Sequence, residues 1–399
     1  MKYLPIIVIS FFILLASCMR EPELHLYEPQ NIEQNFPIID LDLEVYWDYE
    51  MTFDVRYDWK AEWFYGWDQG DIDMFGELGY TQPSVFNLRR YFTGDIPYAP
   101  HTSVISAPPF KGSHFQDKFE WGFWDILVWN DIRTIDGVQS LIFDEQTSLD
   151  SVVAYTNPSM HRSRYNAPLY THAFWAPEPL FSAYERAIDI NRNLDGFVYD
   201  ASRNVFVRTL DMEMYPITYI YLTQVILHHN KGRITQTEGE AVLSGMARST
   251  NLNTGTAGCD PVSVYYNNNL KTGCDLVPYG TPDDDPSRLI AEKADIIGGR
   301  LMTFGMCNQT PRKIDEGAPL TDKNRHYLDV TVQFYNGLDS TIVFDVTKQV
   351  REHYKGGVIT VELDVDTVPI PLRPGGSGFD AIIKEFEEET HEIEFKKQN

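Results

Sequence analysis

The segment Ile217–Leu227 (ITYIYLTQVIL) constrains the fold most, because it is apolar on both faces. A strand of this kind must be covered on both sides, so it predicts an interior strand. Ile39–Trp47 instead alternates apolar and polar residues, which predicts a half-buried strand with an acidic outer face. Asn336-Gly337, between the runs Tyr327–Tyr335 and Ser340–Val346, is a strong hairpin signal. These patterns predict a mainly β protein.

Further strands are expected where aromatic and β-branched residues form short runs bounded by turn residues. Such runs occur at Phe53–Trp63, Trp121–Trp129, Ser148–Thr156 and Gly357–Val368. The last segment, Phe379–Phe395, fits either a hairpin or an amphipathic helix, and the sequence leaves both open.

Two segments have helical patterns. Pro177-Glu178-Pro179 introduces LFSAYERAIDI, and proline near the first turn is typical of a helix start. One helical face of that segment would carry Leu180, Phe181, Tyr184 and Ile188. A second helix is predicted over Ser287–Ile297, where Gly298-Gly299 would end it.

The chain has 399 residues, too many for one core of ordinary size, so two domains are expected. The strand spacing is sandwich-like, and no internal period indicates a solenoid or a propeller. We therefore expect two tandem β-sandwich domains with a few short helices, over residues 37–205 and 206–399. Residues 18–36 are polar and contain several prolines, which predicts a tether.

The N-terminus has the three parts of an export signal: Lys2, an apolar stretch from Ile6 to Leu15, and small residues before a cut. The stretch is shorter than the roughly 20 apolar residues that span a bilayer. The signal ends in Leu15-Ala16-Ser17-Cys18, which is the lipobox pattern of bacterial lipoproteins. The alternative is an ordinary signal peptide with a chance cysteine. We predict a signal peptide over residues 1–17 and a mature chain held to a membrane by acyl chains, such as palmitate, on Cys18.

The net charge of −25 argues against nucleic-acid partners and against binding an anionic membrane through a basic patch. An exported protein meets an oxidising environment, so a disulfide is expected to be feasible. Cys259 and Cys274, which flank a turn-rich stretch, are the candidate pair, and Cys307 would stay free. The alternative is that all three are buried thiols. No CxxC occurs and the histidines lack zinc-site spacing, so no metal site and no cofactor are predicted.

The sequence contains no catalytic signature: no GxSxG, no P-loop, no dinucleotide fingerprint and no HExxH. His228-His229 ends a strand, where neighbouring side chains point to opposite faces and would not chelate one ion together. Asp68, Asp71 and Asp73 fit a cation loop or an acidic surface turn, and so do Asp283–Asp285. No catalytic residue is assigned, and we predict a protein that is not an enzyme.

The sequence Asp-Ser/Thr followed by an apolar residue or Thr is similar to the O-glycosylation sequon of exported Bacteroidales proteins. It occurs at Asp150-Ser151-Val152, Asp339-Ser340-Thr341 and Asp366-Thr367-Val368. Ser151, Ser340 and Thr367 are therefore candidate glycosylation sites. So short a pattern also arises by chance, and peptides found bare by mass spectrometry would end the hypothesis.

Several segments carry a family resemblance: LDLEVYWDYE, GFWDILVWND, PEPLFSAYERA, DMEMYPITYIYLTQVIL, VLSGMARSTNLNTG and GGVITVELDVDTVPIP. Together they resemble a Bacteroidales lipoprotein family encoded beside fimbrial genes, over almost the whole mature chain. The sequence is also similar, more loosely, to fimbrillin-type (Mfa-like) anchor proteins. The resemblance implies two transthyretin-like β-sandwich domains and no enzymatic activity. It also implies a role in cell adhesion through a surface fimbria, with fimbrial subunits as partners.

The basic residues bear on which fimbrial role is expected. Stalk subunits of this pilus type lose their lipidated segment by cleavage after a basic residue. Here Arg20 lies two residues from the lipid, and the next basic residue is Arg56. A subunit that keeps its lipid fits an anchor, in the outer membrane and exposed at the cell surface; the alternative is a cut at Arg20, which would release the chain from the lipid. The alternative function is a surface glycan-binding lipoprotein of a polysaccharide-uptake system, because all eight Trp residues lie between Trp47 and Trp175.

Overall fold

The computed structural model describes residues 36–46, 57–132, 139–144, 149–165, 169–309, 323–372, 380–383 and 393–396. The predicted signal peptide, nearly all of the tether, Cys18, Arg20 and Arg56 lie outside the described residues. Within those ranges, no helix has the length and apolar character needed to cross a membrane.

The described chain is mainly β, which confirms the predicted fold class. The strands are β1 (Ile38–Val45), β2 (Val85–Gly94), β3 (Ser103–Ser106), β4 (Phe110–Lys111), β5 (His114–Lys118), β6 (Gly122–Asn130), β7 (Leu141–Asp144), β8 (Val153–Thr156), β9 (Pro158–Arg162), β10 (His172–Trp175), β11 (Phe181–Ile190), β12 (Val198–Asp200), β13 (Val205–Pro216), β14 (Tyr219–His228), β15 (Ile234–Ala247), β16 (Ser249–Asn251), β17 (Pro261–Asp275), β18 (Lys293–Thr303), β19 (Tyr327–Phe334), β20 (Asp339–Asp345), β21 (Gly357–Asp364), β22 (Asp380–Ile383) and β23 (Ile393–Lys396). The helices are α1 (Trp59–Glu62), α2 (Gln69–Phe75) and α3 (Thr347–Glu352), with 3-10 turns at Leu149–Ser151, Pro286–Leu289 and Val365–Thr367.

The first sheet has the strand order β3-β2-β6-β11-β13-β1-β5, with β4 and β12 attached beside it. One of its ladders joins β2 and β6, which run antiparallel and include the pairs Phe86↔Asn130 and Phe92↔Trp124. The predicted strand at Trp121–Trp129 is confirmed as β6. Tyr91 and Leu127 are fully buried here within one apolar cluster.

The second sheet has the order β21-β14-β18-β17-β15-β19-β20-β22-β23, and β10 and β9 extend it from β17. The predicted interior strand is confirmed as β14, which pairs antiparallel with β18 and parallel with β21. Its residues lie in two different apolar clusters, because Tyr221 and Val225 pack in one and Ile220 and Leu222 in the other. Both faces of this strand are therefore covered. A third sheet contains β16, β8 and β7.

The predicted hairpin at Asn336-Gly337 is confirmed, since β19 and β20 pair from Tyr327↔Asp345 to Gln333↔Asp339. Gly337 has a φ of 74°, a conformation that glycine adopts without steric cost. At the C-terminus, β22 and β23 pair antiparallel. The hairpin is thus the correct alternative for the last segment of the chain.

Both predicted helices are wrong. The segment at Leu180–Ile190 forms β11, whose first residues pair with Tyr215 and Pro216 of β13. Leu180, Phe181, Ser182 and Ala183 are buried in succession, whereas Tyr184 is 39% exposed. Consecutive residues are buried because both faces of the sheet are covered at this point. Pairing with a strand elsewhere in the chain thus favoured a strand over the helix that the apolar spacing predicts.

The segment at Ser287–Ile297 forms a 3-10 turn and then enters β18, which pairs with β14 and β17. Gly298 and Gly299 therefore lie inside a strand and do not end a helix. The strand predicted over Phe53–Trp63 is also wrong where the structure describes it, because Trp59–Glu62 is α1. The strands predicted at Ser148–Thr156 and Gly357–Val368 are confirmed in part, as β8 and β21 with adjoining 3-10 turns.

The described chain forms two compact units, each built from segments that are separated in the sequence, and the predicted division at 205/206 stays a prediction. Of the described residues, the smaller unit comprises 36–40, Gln116–Trp121 and Ile190–Thr209. Within it, Phe36 packs edge-on against Trp121, with 6.4 Å between ring centroids, and β12 pairs with the start of β13. The larger unit holds the rest of the described residues. Within that larger unit, α1 and the strand β10 pack on the second sheet.

Candidate functional site

A cleft of 740 Å³ lies over one face of the second sheet, wholly within the larger unit. Its floor is built from β15, β17, β19 and β20, and the strands β9 and β10 form its rim. We call it the polar cleft, because charged and hydroxyl side chains line most of it. Its lining includes His161, Arg162, Arg164, His172, Glu240, Tyr265, Asp329, Thr331 and Thr341.

The floor is polar because β19 has a period of two. Leu328, Val330 and Val332 point into the apolar core, so Asp329 and Thr331 face the other way. Thr331 lies directly opposite Thr341 of β20, and their hydroxyl oxygens are 3.0 Å apart. The pattern that builds the core thus also places a row of polar groups in the cleft.

Asp329 is the most unusual group in the floor. Its Oδ1 atom is out of contact with solvent and has no hydrogen-bond partner within the described part of the chain. Burial raises the pKa of this carboxyl to about 6, and the nearby positive charge of Arg164 opposes the shift. An unsatisfied buried carboxylate oxygen costs about 1–3 kcal/mol or more, so its presence calls for a physical explanation.

The rim is held by an aromatic cluster. The rings of His161 and Tyr265 stack with centroids 3.7 Å apart, and Trp175 meets both rings edge-on. Nδ1 of His161 lies 3.0 Å from Oε1 of Glu240. Burial, and then the negative charge of Glu240, raise the pKa of Tyr265. The cluster fixes β9 and β10 against β15 and β17, so the cleft is shaped before any ligand arrives.

The raised pKa of Asp329 predicts a pH-dependent stability. The folded protein holds this proton above pH 4, where the unfolded chain releases it, so stability falls as the pH rises from about 4 to about 6. We predict that Asp329→Asn gains stability relative to wild type between pH 4 and pH 7, by about 1–3 kcal/mol. Urea unfolding at the two pH values measures it. Asp339→Asn, at an exposed position of β20, is the control and should show no such gain. A stability difference between wild type and Asp329→Asn that is the same at both pH values would contradict the prediction.

A second titratable pair, His101 and Asp125, is buried in the first sheet. Nε2 of His101 lies 2.9 Å from Oδ2 of Asp125, and Nδ1 accepts a weak hydrogen bond from the Leu149 amide. Oδ1 of Asp125 accepts a hydrogen bond from the amide of Ala187, which has a φ of 53°. Both imidazole nitrogens are engaged, and the Asp125 carboxylate satisfies the amide of Ala187, which has a left-handed backbone conformation within β11.

Among the three described cysteines, Cys259 is exposed, Cys274 half-buried and Cys307 buried, and Cys259 and Cys274 are free thiols. Cys259 precedes β17 and Cys274 lies near the opposite end of that strand. At about 3.3 Å per residue, this separates their Cα atoms far beyond the roughly 7 Å limit for a disulfide. The predicted Cys259–Cys274 bond is absent from this structure. The alternative of three buried thiols is also wrong for Cys259.

The acidic turns are structural caps. Asp68 caps the N-terminus of α2 through a reciprocal capping box with Asp71. Hydrogen bonding to Lys271 lowers the pKa of Asp68, and the buried Asp71 carboxylate also contacts Lys271. Asp285 caps the 3-10 turn at Pro286–Leu289.

The adjacent histidines contact different carboxylates, since His228 lies near Glu292 and Glu362 while His229 lies 3.1 Å from Asp364. His229, Asp364 and Asp366 form an exposed group whose ligand atoms could hold a metal ion, which the sequence did not suggest. Lys231 and Arg233 already pair with Asp366. Two cations at one carboxylate of this group reduce its attraction for a metal ion, and we assign no site there.

Two further sets of predicted residues can be located. Thr367 is exposed in a 3-10 turn, where its hydroxyl donates to the Asp364 carbonyl, while Ser151 and Ser340 are half-buried. Their glycosylation stays a prediction.

None of the described tryptophans is an exposed side chain, and Trp63 and Trp124 are fully buried. The described tryptophans therefore form no exposed aromatic platform, and the glycan-binding alternative stays a prediction.

No protein-family model matches the sequence, and no curated protein matches it. Among solved structures, the chain is similar to a "putative adhesin" from Bacteroides ovatus, with 13% identity, coverage of 89% of this chain and 94% of that one, and a TM-score of 0.47. It is also similar to the fimbrial anchor protein Mfa2 from Porphyromonas gingivalis, with 11% identity, coverage of 82% and 90%, and a TM-score of 0.33. A third is a structure of "putative polysaccharide binding proteins" from Bacteroides thetaiotaomicron, with 9% identity, coverage of 82% and 91%, and a TM-score of 0.34. At these identities and scores the similarities assign neither a family nor a function.

The polar cleft was not found from the sequence. Its residues come from distant strands, and none of them was a candidate site residue. The available signal was the segment LDVTV, where Asp and Thr occupy the alternate positions of an otherwise apolar strand. That signal indicates a polar face, but it does not show which other strands meet it.

Proposed function

We propose that this protein is a lipid-anchored cell-surface protein that serves as an anchor or accessory subunit of a fimbria. The lipobox ending at Cys18 supports the attachment, and the family resemblance of the sequence supports the fimbrial role. The partners would be other fimbrial subunits, joined by strand addition. In that mode main-chain hydrogen bonds supply affinity and alternate side chains set the register.

The observation that carries the proposal is the C-terminal edge of the second sheet. There β22 lies parallel to β20, with the register pairs Val343↔Ile382 and Phe344↔Ile383. Such a short parallel ladder supplies few hydrogen bonds, and parallel pairing is slightly less stable per residue than antiparallel pairing. A terminal hairpin held in this way can separate from β20 at a small cost in free energy and pair with another chain. We infer that the C-terminal hairpin, β22 and β23, supplies the strand that is donated to the partner.

Deleting the tail from Gly375 to Asn399 tests this role. We expect the truncated protein to lose the fimbrial subunits that co-purify with the full-length, tagged protein from detergent-solubilised membranes. The matched variant replaces the same residues with a Gly/Ser chain of equal length. This variant should also fail to retain the fimbrial subunits, because the loss is caused by the missing strand and not by the shorter chain.

A second variant separates the lipid from the partner. Cys18→Ala should leave the membrane fraction while it still captures fimbrial subunits when mixed with solubilised fimbriae. Cys259→Ala should behave like wild type in both assays. Wild-type capture by the truncated protein would refute strand donation, and membrane retention of the Cys18 variant would refute the lipid anchor.

A further inference from the structure

We propose that the polar cleft binds a short neutral saccharide of two or three sugar units. The inference concerns a different part of the molecule from the C-terminal hairpin and does not rest on strand addition. It is carried by the shape of the cleft, the mixed charges around it and the unpartnered carboxylate in its floor.

The Asp329 carboxylate is the first reason. Its Oδ1 atom is shielded from water and lacks a hydrogen-bond donor within the described part of the chain. Most buried polar atoms in folded proteins are satisfied, and an exception in a cleft points to a donor that arrives with a ligand. A sugar hydroxyl is such a donor, and a hydrogen bond to a charged acceptor contributes about 1.5–3 kcal/mol.

The balance of charge is the second reason. Arg162, Arg164 and His172 supply donors around the cleft, while Glu240 and Asp329 supply acceptors. A ligand with a large net charge would meet repulsion from one of these sets. Neutral hydroxyl groups both donate and accept, so a polyol can pair with either set.

The two threonines extend this match. Thr331 and Thr341 bond to each other, which uses one of their two hydroxyl protons and leaves acceptor lone pairs and one proton for a ligand. They lie on neighbouring strands in direct register, so their positions are set by the sheet. Groups held on strands lose little freedom on binding, which favours affinity.

The dimensions and rigidity are the third reason. A volume of 740 Å³ lies within the range of roughly 300–1,000 Å³ that small-molecule sites occupy. The stack of His161 on Tyr265 and the edge-on ring of Trp175 hold the rim in place. His161 covers one face of the Tyr265 ring, so a sugar cannot stack on that face. The saccharide should therefore be recognised mainly through hydrogen bonds and less through ring stacking.

The test uses the detergent-solubilised mature protein and a printed array of neutral oligosaccharides of two to six units, together with sialylated and sulfated glycans and a Lys-rich peptide. We expect retention of neutral oligosaccharides, and calorimetric titration of the best of them gives the affinity. Thr341→Val and Asp329→Asn should each weaken binding about tenfold or more, which corresponds to ~1.4 kcal/mol.

Thr235→Val and Asp339→Asn are the matched controls, because both positions are exposed on the same sheet outside the cleft lining, and they should bind like wild type. Thermal melting of each variant shows that it is folded. Should Thr341→Val fail to fold, Asp329→Asn, which we expect to be more stable than wild type, decides the result. The proposal is overturned by no retention of neutral glycans, by unchanged affinity in the cleft variants, or by preference for the acidic glycans or the peptide.

Discussion

Gln224→Met is expected to reduce the free energy of unfolding by about 3–6 kcal/mol, the largest effect we predict. Gln224 is fully buried in β14. Its Oε1 accepts hydrogen bonds from the amides of Phe64 and Tyr65, at 2.9 and 3.2 Å. Its Nε2 donates to the Glu62 carbonyl at 2.6 Å and to the Thr360 hydroxyl at 2.9 Å.

The size of the effect follows from what the methionine would leave behind. The segment after α1 has no strand partner, so the amides of Phe64 and Tyr65 and the carbonyl of Glu62 depend on this one side chain. Each buried backbone group without a partner costs about 1–3 kcal/mol. Methionine has nearly the shape of glutamine, so the change removes hydrogen bonds with little loss of packing.

Urea unfolding followed by tryptophan fluorescence measures the effect, and Trp59 and Trp63 lie in the same apolar cluster as the affected segment. Gln236→Met is the matched control, because Gln236 is exposed on β15 and should change stability by less than about 0.5 kcal/mol. A loss below about 1 kcal/mol for Gln224→Met would show that water or a backbone shift replaces the lost bonds.

The strands with strong periodic patterns were predictable from the sequence. Ile39, Leu41 and Leu43 are buried with acidic residues between them, and the hairpin around Gly337 follows its turn residues. Here local preference and tertiary packing demand the same structure. When local preference and tertiary packing favour the same structure, the structure of a segment can be predicted from its sequence alone.

The failures occurred where apolar residues have a spacing that fits two structures. Leu180, Phe181, Tyr184 and Ile188 share a helical face, but the same segment can be buried in a sheet when partners lie on both sides. The partners come from residues far along the chain, and a single sequence does not reveal them. The polar cleft was missed for the same reason, because β9, β15, β19 and β20 meet only in the folded protein.

The pair Gly298-Gly299 gave the most misleading signal, because two glycines after an apolar run are typical of a helix end. In the structure they let two aromatic rings approach β18 closely. A Cβ atom on Gly298 would lie only 2.3 Å from two carbons of the Tyr65 ring, and one on Gly299 would lie 2.8 Å from a carbon of the Tyr266 ring. Glycine inside a strand often marks such a close approach.

Gly298→Ala is therefore the second large prediction, with an expected loss of about 1–3 kcal/mol from overpacking. Tyr65 cannot easily move aside, because it is 3% exposed, its hydroxyl donates to Asp71, and Lys271 lies over its ring at 4.3 Å. The measurement is urea unfolding of Gly298→Ala in the wild-type and in the Tyr65→Ala background, which completes a double-mutant cycle. In the second background the ring is gone, so Gly298→Ala should cost well under about 1 kcal/mol. Gly79→Ala is the control, since a Cβ there meets no atom within 4 Å. An equal cost of Gly298→Ala in both backgrounds would mean that strand geometry, and not the ring of Tyr65, requires glycine at this position.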